Sequence, residues 1–317
     1  MPERPGSAAP TPRSAVGVAS VPGAASGADV VAVAAAALTS PGLVVLTGTP
    51  GSGRSGTLAR VGAAFRGTVH SGGGLAMLQT VPGFALSRAL RVRLPVHDTA
   101  LLAEAVRSRV RGGLLLLDDL QWVDPVTISA IPAIAEHCRI AVTLRQPHRL
   151  PAAVQRAMHD AASAWLAVPP LTADAAGALA RSIAPAAAGA DIAAVVARAG
   201  GNPLAVSALA RVLGRPGGDR DTPTADALAY TVATALADLT RPARTALAAL
   251  GLLGRPADAA ILGDGVGELL AAALVEATDD GIAATSPYTA EVAAGLLDTA
   301  ERHALHRRLA QLVPPRE

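Results

Sequence analysis

The 317-residue sequence has no lysine, a single cysteine and very few aromatic side chains. With Cys138 alone, the chain can form neither an internal disulfide framework nor a cysteine zinc cluster, and this residue is expected to be a small buried hydrophobe. Aromatic residues make up 2% of the chain and hydrophobic residues 51%, so alanine, leucine and valine must form the core. Because alanine has the highest helix propensity, the composition predicts a folded, helix-rich protein.

The charge and hydropathy of the chain do not indicate a nucleic acid or a membrane as its partner. The net charge is only +2, although all 27 basic residues are arginine. The longest apolar stretch, Val30–Leu38, is far shorter than the roughly 20 residues that a spanning helix needs. The Pro/Ala/Gly/Ser-rich segment 1–27 lacks the compact apolar region of an export signal. We therefore expect a disordered tail at 1–27, no membrane partner and a cytoplasmic location.

Short apolar runs alternate with helical patterns between residues 28 and 170. This alternation predicts an α/β domain with a parallel sheet that has helices on both faces. Only helical patterns follow in 171–222, where we expect a helical lid. Residues 223–317 predict helices, a β-hairpin that turns at Asp280-Gly281, and a last helix from about Thr289 to Leu312. Helices with a hairpin between them are the order of a winged-helix-like domain.

A glycine-rich segment carries the main functional signal. Residues 48–55 read GTPGSGRS and fit the phosphate-loop pattern G-x-x-x-x-G-K-[ST] at every position but one, where Arg54 replaces lysine. Its glycines let backbone N–H groups turn toward phosphates, Ser55 offers a hydroxyl to Mg²⁺, and the following helix adds its dipole. The predicted nucleotide-binding residues here are Gly48, Thr49, Pro50, Gly51, Ser52, Gly53, Arg54, Ser55 and Gly56.

Arg54 leaves two interpretations open. In the first, arginine has replaced lysine in a lysine-free chain and nucleotide binding is kept. In the second, the protein binds nucleotide with little or no turnover, because a planar guanidinium is bulkier than an ammonium group. Both interpretations keep nucleotide binding, so hydrolysis is expected to be slow at most, with Arg54 neutralising charge on the phosphates.

Two acidic residues end the most apolar run, Leu114–Leu117. In P-loop proteins a carboxylate at the end of a neighbouring strand holds the Mg²⁺ shell, usually through water, and we expect Asp118 to do so. Asp119 is the candidate to orient the attacking water. The alternative is a solvated acidic turn, which the phosphate loop earlier in the chain disfavours.

The segment LLLLDDLQWVDP at 114–125 resembles the ATPase module of the large ATP-binding LuxR-family transcriptional regulators. These belong to the signal-transduction ATPases with numerous domains (STAND), relatives of the AAA+ group. The segments VTLR at 142–145, GNPLA at 201–205 and RHALHRRLA at 302–310 are similar to family segments in the same order. The resemblance implies bound ATP or ADP with Mg²⁺, a γ-phosphate contact by Arg145, and packing of Pro203 near the adenine.

The chain also departs from that family. It lacks a Gly-Arg-Glu segment before the loop, has Ser286-Pro287 where the family often has His-Pro, and contains neither the helical repeats nor the C-terminal helix-turn-helix. We expect an ATP- or ADP-binding switch with a protein partner or self-association, and no direct DNA binding by this chain alone. One alternative is a non-catalytic interaction scaffold. The other is a regulator that binds DNA through its winged helix.

Overall fold

The structure is a computed structural model that describes residues 26–214, 232–234 and 236–312. The predicted tail lies outside the described residues up to position 25, and Ser26 already caps the first helix. Positions 215–231, which include most of the predicted linker and the 222/223 domain boundary, also lie outside them. The domain boundaries therefore stay a prediction.

Five parallel strands form the central sheet. They are β1 (Gly42–Gly48), β2 (Val69–Gly73), β3 (Leu114–Asp118), β4 (Arg139–Arg145) and β5 (Ala162–Ala167). Their order is β2-β3-β4-β1-β5, so β1 lies between β4 and β5. Because all five run in the same direction, the residues that follow β1, β3 and β4 meet at one edge of the sheet, where the ligand sites of such sheets lie.

Helices cover both faces of this sheet, as predicted. They are α1 (Gly27–Ala37), α2 (Arg54–Ala64), α3 (Phe84–Leu90), α4 (Thr99–Val110), α5 (Pro125–Ala135) and α6 (Ala152–Ala161). Side chains of β1 alternate between the faces: Leu43 and Val45 pack with α3–α6, and Val44 and Leu46 pack with α1 and α2. A strand buried on both sides is a continuous apolar run, which is the signal that the sequence carries.

Three helices follow the sheet and pack on one another around a small core rich in alanine. They are α7 (Ala173–Ile183), α8 (Gly189–Ala199) and α9 (Pro203–Leu213). Thr172 and Asn202 cap α7 and α9 by accepting backbone N–H groups of the first turn. This segment contains the three helices expected for the lid.

The described C-terminal residues form a second helical unit with a two-stranded antiparallel hairpin. Its elements are α10 (Arg241–Leu253), α11 (Ala259–Leu262), α12 (Val266–Ala271), β6 (Val275–Thr278), β7 (Gly281–Ala284), α13 (Pro287–Gly295) and α14 (Thr299–Leu312). The hairpin turns at Asp279-Asp280, and the glycine predicted for the turn, Gly281, is the first residue of β7. Ala257 adds a short antiparallel bridge to Ile282 in β7. Within α10, a Cβ on Gly251 would lie 2.1 Å from the Ala290 carbonyl oxygen, so α10 and α13 require glycine at this contact.

Several predicted elements need correction. The expected helix from Thr289 to Leu312 is two helices, because the Asp298 carboxylate accepts the backbone N–H of Glu301 and starts a new one. The helices α3 and α6 were not predicted, since neither has a side-chain cap at its start. In the part of the chain that the structure describes, no helix has the length and apolar character needed to cross a membrane.

Candidate functional site at the glycine loop

The glycine loop joins β1 to α2. It begins at Gly48, the last residue of β1, and α2 starts at Arg54. Gly51 and Gly53 have φ angles of 76° and 87°, a region in which a Cβ is strained. Within the loop, the Ser52 N–H donates to the Thr49 carbonyl oxygen at 3.2 Å. The loop therefore has its glycines where the backbone conformation requires them.

Buried polar atoms without partners cluster at this end of the sheet. Four buried side-chain atoms among the described residues have no hydrogen-bond partner, and three of them lie here: Ser52 Oγ, Arg54 Nη1 and Arg145 Nε. The fourth, Arg302 Nε, lies in α14. A buried donor left unpaired costs free energy, and such groups in a folded protein call for an explanation such as a missing ligand. Arg54 is 9% exposed and Arg145 5% exposed, so water does not solvate either guanidinium freely.

Arg54 carries a buried positive charge. Its pKa is lowered to about 10, chiefly by burial and also by the nearby Arg145, and Asp119 and Asp118 oppose this shift. The closest ion pair joins Arg54 Nη2 to Asp119 Oδ1 at 3.7 Å, too long for a good hydrogen bond. Arg54 is still a cation at pH 7, so the site holds a buried positive charge whose ion-pair partner Asp119 is not within good hydrogen-bond distance.

A hydrogen-bond network fixes the two acidic residues that follow β3. The Thr143 hydroxyl donates to Asp118 Oδ1, and the Asp119 N–H donates both to Asp118 Oδ1 at 3.0 Å and to Thr143 Oγ1 at 2.8 Å. Gln121 Nε2 donates to Asp119 Oδ1 at 2.8 Å. Asp119 itself has a φ of 51°, an uncommon conformation for a non-glycine residue. The two carboxylates are therefore held in place by Thr143 and Gln121.

Arg145 ends β4 and is paired in register with Gly48, where the glycine loop begins. Its backbone N–H donates to Gln121 Oε1 at 3.1 Å, and its guanidinium carbon lies 5.1 Å from the centroid of the Trp122 ring. The tryptophan therefore packs against this arginine. The guanidinium also forms an ion pair with Asp238.

The start of α9 lies directly on the glycine loop. Asn202 Nδ2 donates to the Pro50 carbonyl oxygen at 2.8 Å, and the Leu204 N–H donates to the Gly51 carbonyl oxygen at 3.3 Å. A Cβ on Gly53 would lie 3.5 Å from Pro203 Cγ. The predicted contact residue Pro203 is thus beside the loop, although it lies far away in the sequence.

The remaining predicted residues are placed as follows. Ser55 and Gly56 lie in the first turn of α2 and are exposed, and Asp118 is partly buried at the end of β3. Ser286, at the position of the family's histidine, is buried; its hydroxyl caps α13 and donates to the Ala199 carbonyl oxygen at 3.2 Å. Ser286 therefore joins the C-terminal unit to the end of α8.

Four contributors to the site were not predicted: Thr143, Gln121, Asn202 and Asp238. Thr143 could have been found, since it is the one polar side chain within the apolar segment IAVTL. Asn202 lies next to Pro203 in the GNPLA segment and has the chemistry of a helix cap. No local signal marks Asp238, because its role depends on a contact with a residue 93 positions away.

No family model matches this chain, and no curated protein matches it. One similar solved structure is a STAND protein with a tetratricopeptide repeat sensor from Pyrococcus horikoshii, with 15% identity, a TM-score of 0.37, and coverage of 90% of this chain and 45% of that chain. Another is a Walker-type ATPase of Pyrococcus abyssi, with 12% identity, a TM-score of 0.49, and coverage of 82% and 94%. The RuvB Holliday junction branch migration motor of Thermotoga maritima has 16% identity, a TM-score of 0.42, and coverage of 81% and 90%.

The strand order, the parallel sheet and the glycine loop between β1 and α2 define the class of fold. A strand, a loop of the G-x-x-x-x-G-K-[ST] kind and a helix form the phosphate-binding unit of P-loop nucleoside triphosphatases, and this chain has that unit with Arg54 at the lysine position. The chain therefore has an α/β fold of the P-loop NTPase type.

Proposed function

We propose that this protein binds ATP or ADP with Mg²⁺ at the glycine loop and is a nucleotide-dependent switch. The observation that carries the proposal is that three of the four buried polar side-chain atoms without partners in the described residues, Ser52 Oγ, Arg54 Nη1 and Arg145 Nε, lie together at this site. All three belong to the loop or to the strand end next to it. A phosphate chain would supply the acceptors and the negative charge that these groups lack.

Each predicted residue has a place in this proposal. Backbone N–H groups of the loop and the first turn of α2 would bind phosphate oxygens, with Arg54 and Arg145 as the cations. The Ser55 hydroxyl and the Asp118 carboxylate, the latter through water, would hold Mg²⁺, which neutralises phosphate charge when bound. Asp119 would orient a water molecule for hydrolysis, and Pro203 would pack near the base.

Hydrolysis is proposed to be slow. Arg54 brings a wide, planar group to a place where lysine supplies a compact charge, and Asp119 is already engaged by Gln121 and by Arg54. Turnover well below the roughly 1 per second of ordinary enzymes is expected. A protein with no turnover would match the alternative of a non-catalytic interaction scaffold. Phosphate release under saturating ATP-Mg²⁺ distinguishes a slow ATPase from that alternative.

The switch would act through contacts that join the nucleotide site to the rest of the chain. Asn202 joins the helices α7–α9 to the loop, and Asp238 joins the segment before α10 to Arg145. The hairpin with its bridge to Ala257, followed by α13, supports a winged-helix interpretation of the C-terminal unit. By resemblance, we propose a cytoplasmic STAND-type ATPase similar to that of LuxR-family regulators, which acts through a protein partner or self-association without binding DNA directly.

Titration of fluorescent ATP and ADP, each with and without Mg²⁺, tests the proposal. The wild-type chain should bind both nucleotides, and Mg²⁺ should strengthen ATP binding. Ser55→Ala should keep metal-free binding and lose the gain from Mg²⁺. The matched control is Ser182→Ala, which removes an exposed serine hydroxyl on α7. If the wild-type chain binds neither ATP nor ADP at millimolar concentration, the proposal is overturned.

A further inference from the structure

Asp238 connects the C-terminal part of the chain to the nucleotide site. Its carboxylate pairs with two guanidinium groups, that of Arg145 through Oδ2 and that of Arg149 through Oδ1 at 3.2 Å. Arg149 also donates to the neighbouring Ala237 carbonyl oxygen at 2.6 Å. Asp238 lies in the short segment before α10, so these contacts hold that segment against the end of β4.

The Arg145–Asp238 pair differs from an ordinary surface ion pair in its burial. The side chains of Arg145 and Asp238 are 6% and 17% exposed, whereas those of Arg198 and Glu291, which join α8 to α13, are 52% and 38% exposed. Exposed pairs contribute about 0–1 kcal/mol, but losing one partner of a buried pair has a large effect. The charge on Asp238 therefore decides whether the Arg145 guanidinium is held in this ion pair.

Arg145 is also close to the phosphate loop. Its backbone is in register with Gly48, and its charge reaches Arg54 strongly enough to lower the pKa of Arg54. A diphosphate in the loop can use Arg54 and the backbone N–H groups. A triphosphate brings one more phosphate and more negative charge, for which Arg145 is the next buried cation. That cation is already paired with Asp238.

We propose that Asp238 is a positioning residue that sets the preference of this site between nucleoside triphosphate and diphosphate. Its carboxylate competes with the terminal phosphate of a triphosphate for the Arg145 guanidinium, and a diphosphate meets no such competition. The inference rests on the proposed nucleotide binding at the glycine loop. By thermodynamic reciprocity, triphosphate binding weakens the hold of Arg145 on the segment before α10, and diphosphate binding leaves that hold intact.

The test is equilibrium binding of ATP-Mg²⁺ and ADP-Mg²⁺ to the full chain and its Asp238 variants. Asp238→Asn should tighten ATP binding about tenfold and change the ADP dissociation constant less than about twofold. Asp238→Glu, which keeps the charge, should restore most of the wild-type ratio. Glu291→Gln is the matched control, since it removes the negative charge from the exposed Arg198–Glu291 bridge. Its ratio of ATP to ADP dissociation constants should equal that of the wild type.

A second measurement covers the case in which Asp238→Asn does not fold. Hydrogen exchange of the wild-type segment 236–253 should be faster with saturating ATP-Mg²⁺ than with saturating ADP-Mg²⁺. The inference would be overturned if Asp238→Asn left the ratio of the ATP and ADP dissociation constants unchanged. It would also be overturned if segment 236–253 exchanged equally fast with ATP and with ADP. Either result would leave the proposed function standing. If the wild type and all variants bind neither ATP nor ADP, both the proposed function and this inference would be overturned.

Discussion

The side-chain amide of Asn202 joins the glycine loop to helix α9. Its nitrogen donates to the Pro50 carbonyl oxygen at 2.8 Å, and its oxygen accepts the N–H groups of Leu204 at 3.0 Å and Ala205 at 3.2 Å. One buried side chain thus caps the helix and holds the loop. Rotation of α9 away from the loop would break the bond to Pro50, whereas the cap would move with the helix, so Asn202 is a direct link between the loop and the helices α7–α9.

Substitution of Asn202 separates these two roles. Asn202→Asp keeps an oxygen that can cap α9 but removes the donor to Pro50, and it should lower the free energy of unfolding by about 1 kcal/mol. Asn202→Ala removes both, and the loss should be about 2 kcal/mol. Urea unfolding of the three proteins gives these values. Equal stability of Asn202→Asp and the wild type would mean that the bond to Pro50 contributes nothing.

Arg54→Gln should make the nucleotide-free protein more stable and abolish nucleotide binding. Because the folded-state pKa of Arg54 is lowered to about 10, chiefly by burial, the charged form is disfavoured in the fold at every pH at which it is protonated, including pH 7. The shorter, neutral glutamine side chain avoids that cost, and the free energy of unfolding should rise by about 2 kcal/mol. Chemical denaturation at pH 7 checks this, and a destabilised Arg54→Gln would show that a partner already satisfies the arginine.

Gly251 should be intolerant of a methyl group, unlike Gly267. A Cβ at Gly251 would lie 2.1 Å from the Ala290 carbonyl oxygen, whereas a Cβ at Gly267 meets no atom within 4 Å. Gly251→Ala should therefore cost more than about 2 kcal/mol through displacement of α10 from α13. Gly267→Ala, within α12, should gain about 0.5–1 kcal/mol from helix propensity. Thermal unfolding of both variants tests the contact, and similar melting temperatures would contradict it.

Arg54→Lys should raise ATP turnover more than it raises ATP affinity. Both side chains offer a cation to the phosphates, but the compact ammonium group can follow charge as it develops on the transferring phosphoryl group. A tenfold gain in turnover needs only about 1.4 kcal/mol. Addition of Asp119→Asn should remove the gain, because the water loses its carboxylate. Phosphate release at saturating ATP-Mg²⁺ is the measurement, and turnover no higher than that of the wild type would exclude Arg54 as the limiting feature.

Local sequence signals predicted the sheet and many of the helices. Asp98 and Thr172 are residue types that favour helix starts, and α4 and α7 begin right after them. The buried strands β1, β3 and β4 are apolar on both faces, which makes them easy to recognise. The helices α3 and α6 follow Gly83 and Pro151, which supply no side-chain cap, so local patterns gave no start signal for them.

These local sequence signals could not predict contacts between residues that are far apart in the chain. The sequence indicated the glycine loop, the acidic end of β3 and the arginine that ends β4. It could not show that Asn202 bonds to Pro50, 152 residues earlier, or that Asp238 pairs with Arg145. Such pairs depend on the packing of the lid and the C-terminal segment against the sheet, and periodicity and capping patterns describe only neighbours in the chain.

The most direct test of the central claim is amide hydrogen exchange with and without saturating ATP-Mg²⁺. If phosphates bind to the backbone of the glycine loop, the amides of residues 51–56 should exchange more slowly with nucleotide, because their N–H groups gain acceptors. The same residues in Arg54→Gln should show no change. Protection that falls elsewhere, with the amides of 51–56 unaffected in the wild type, would contradict a nucleotide site at this loop.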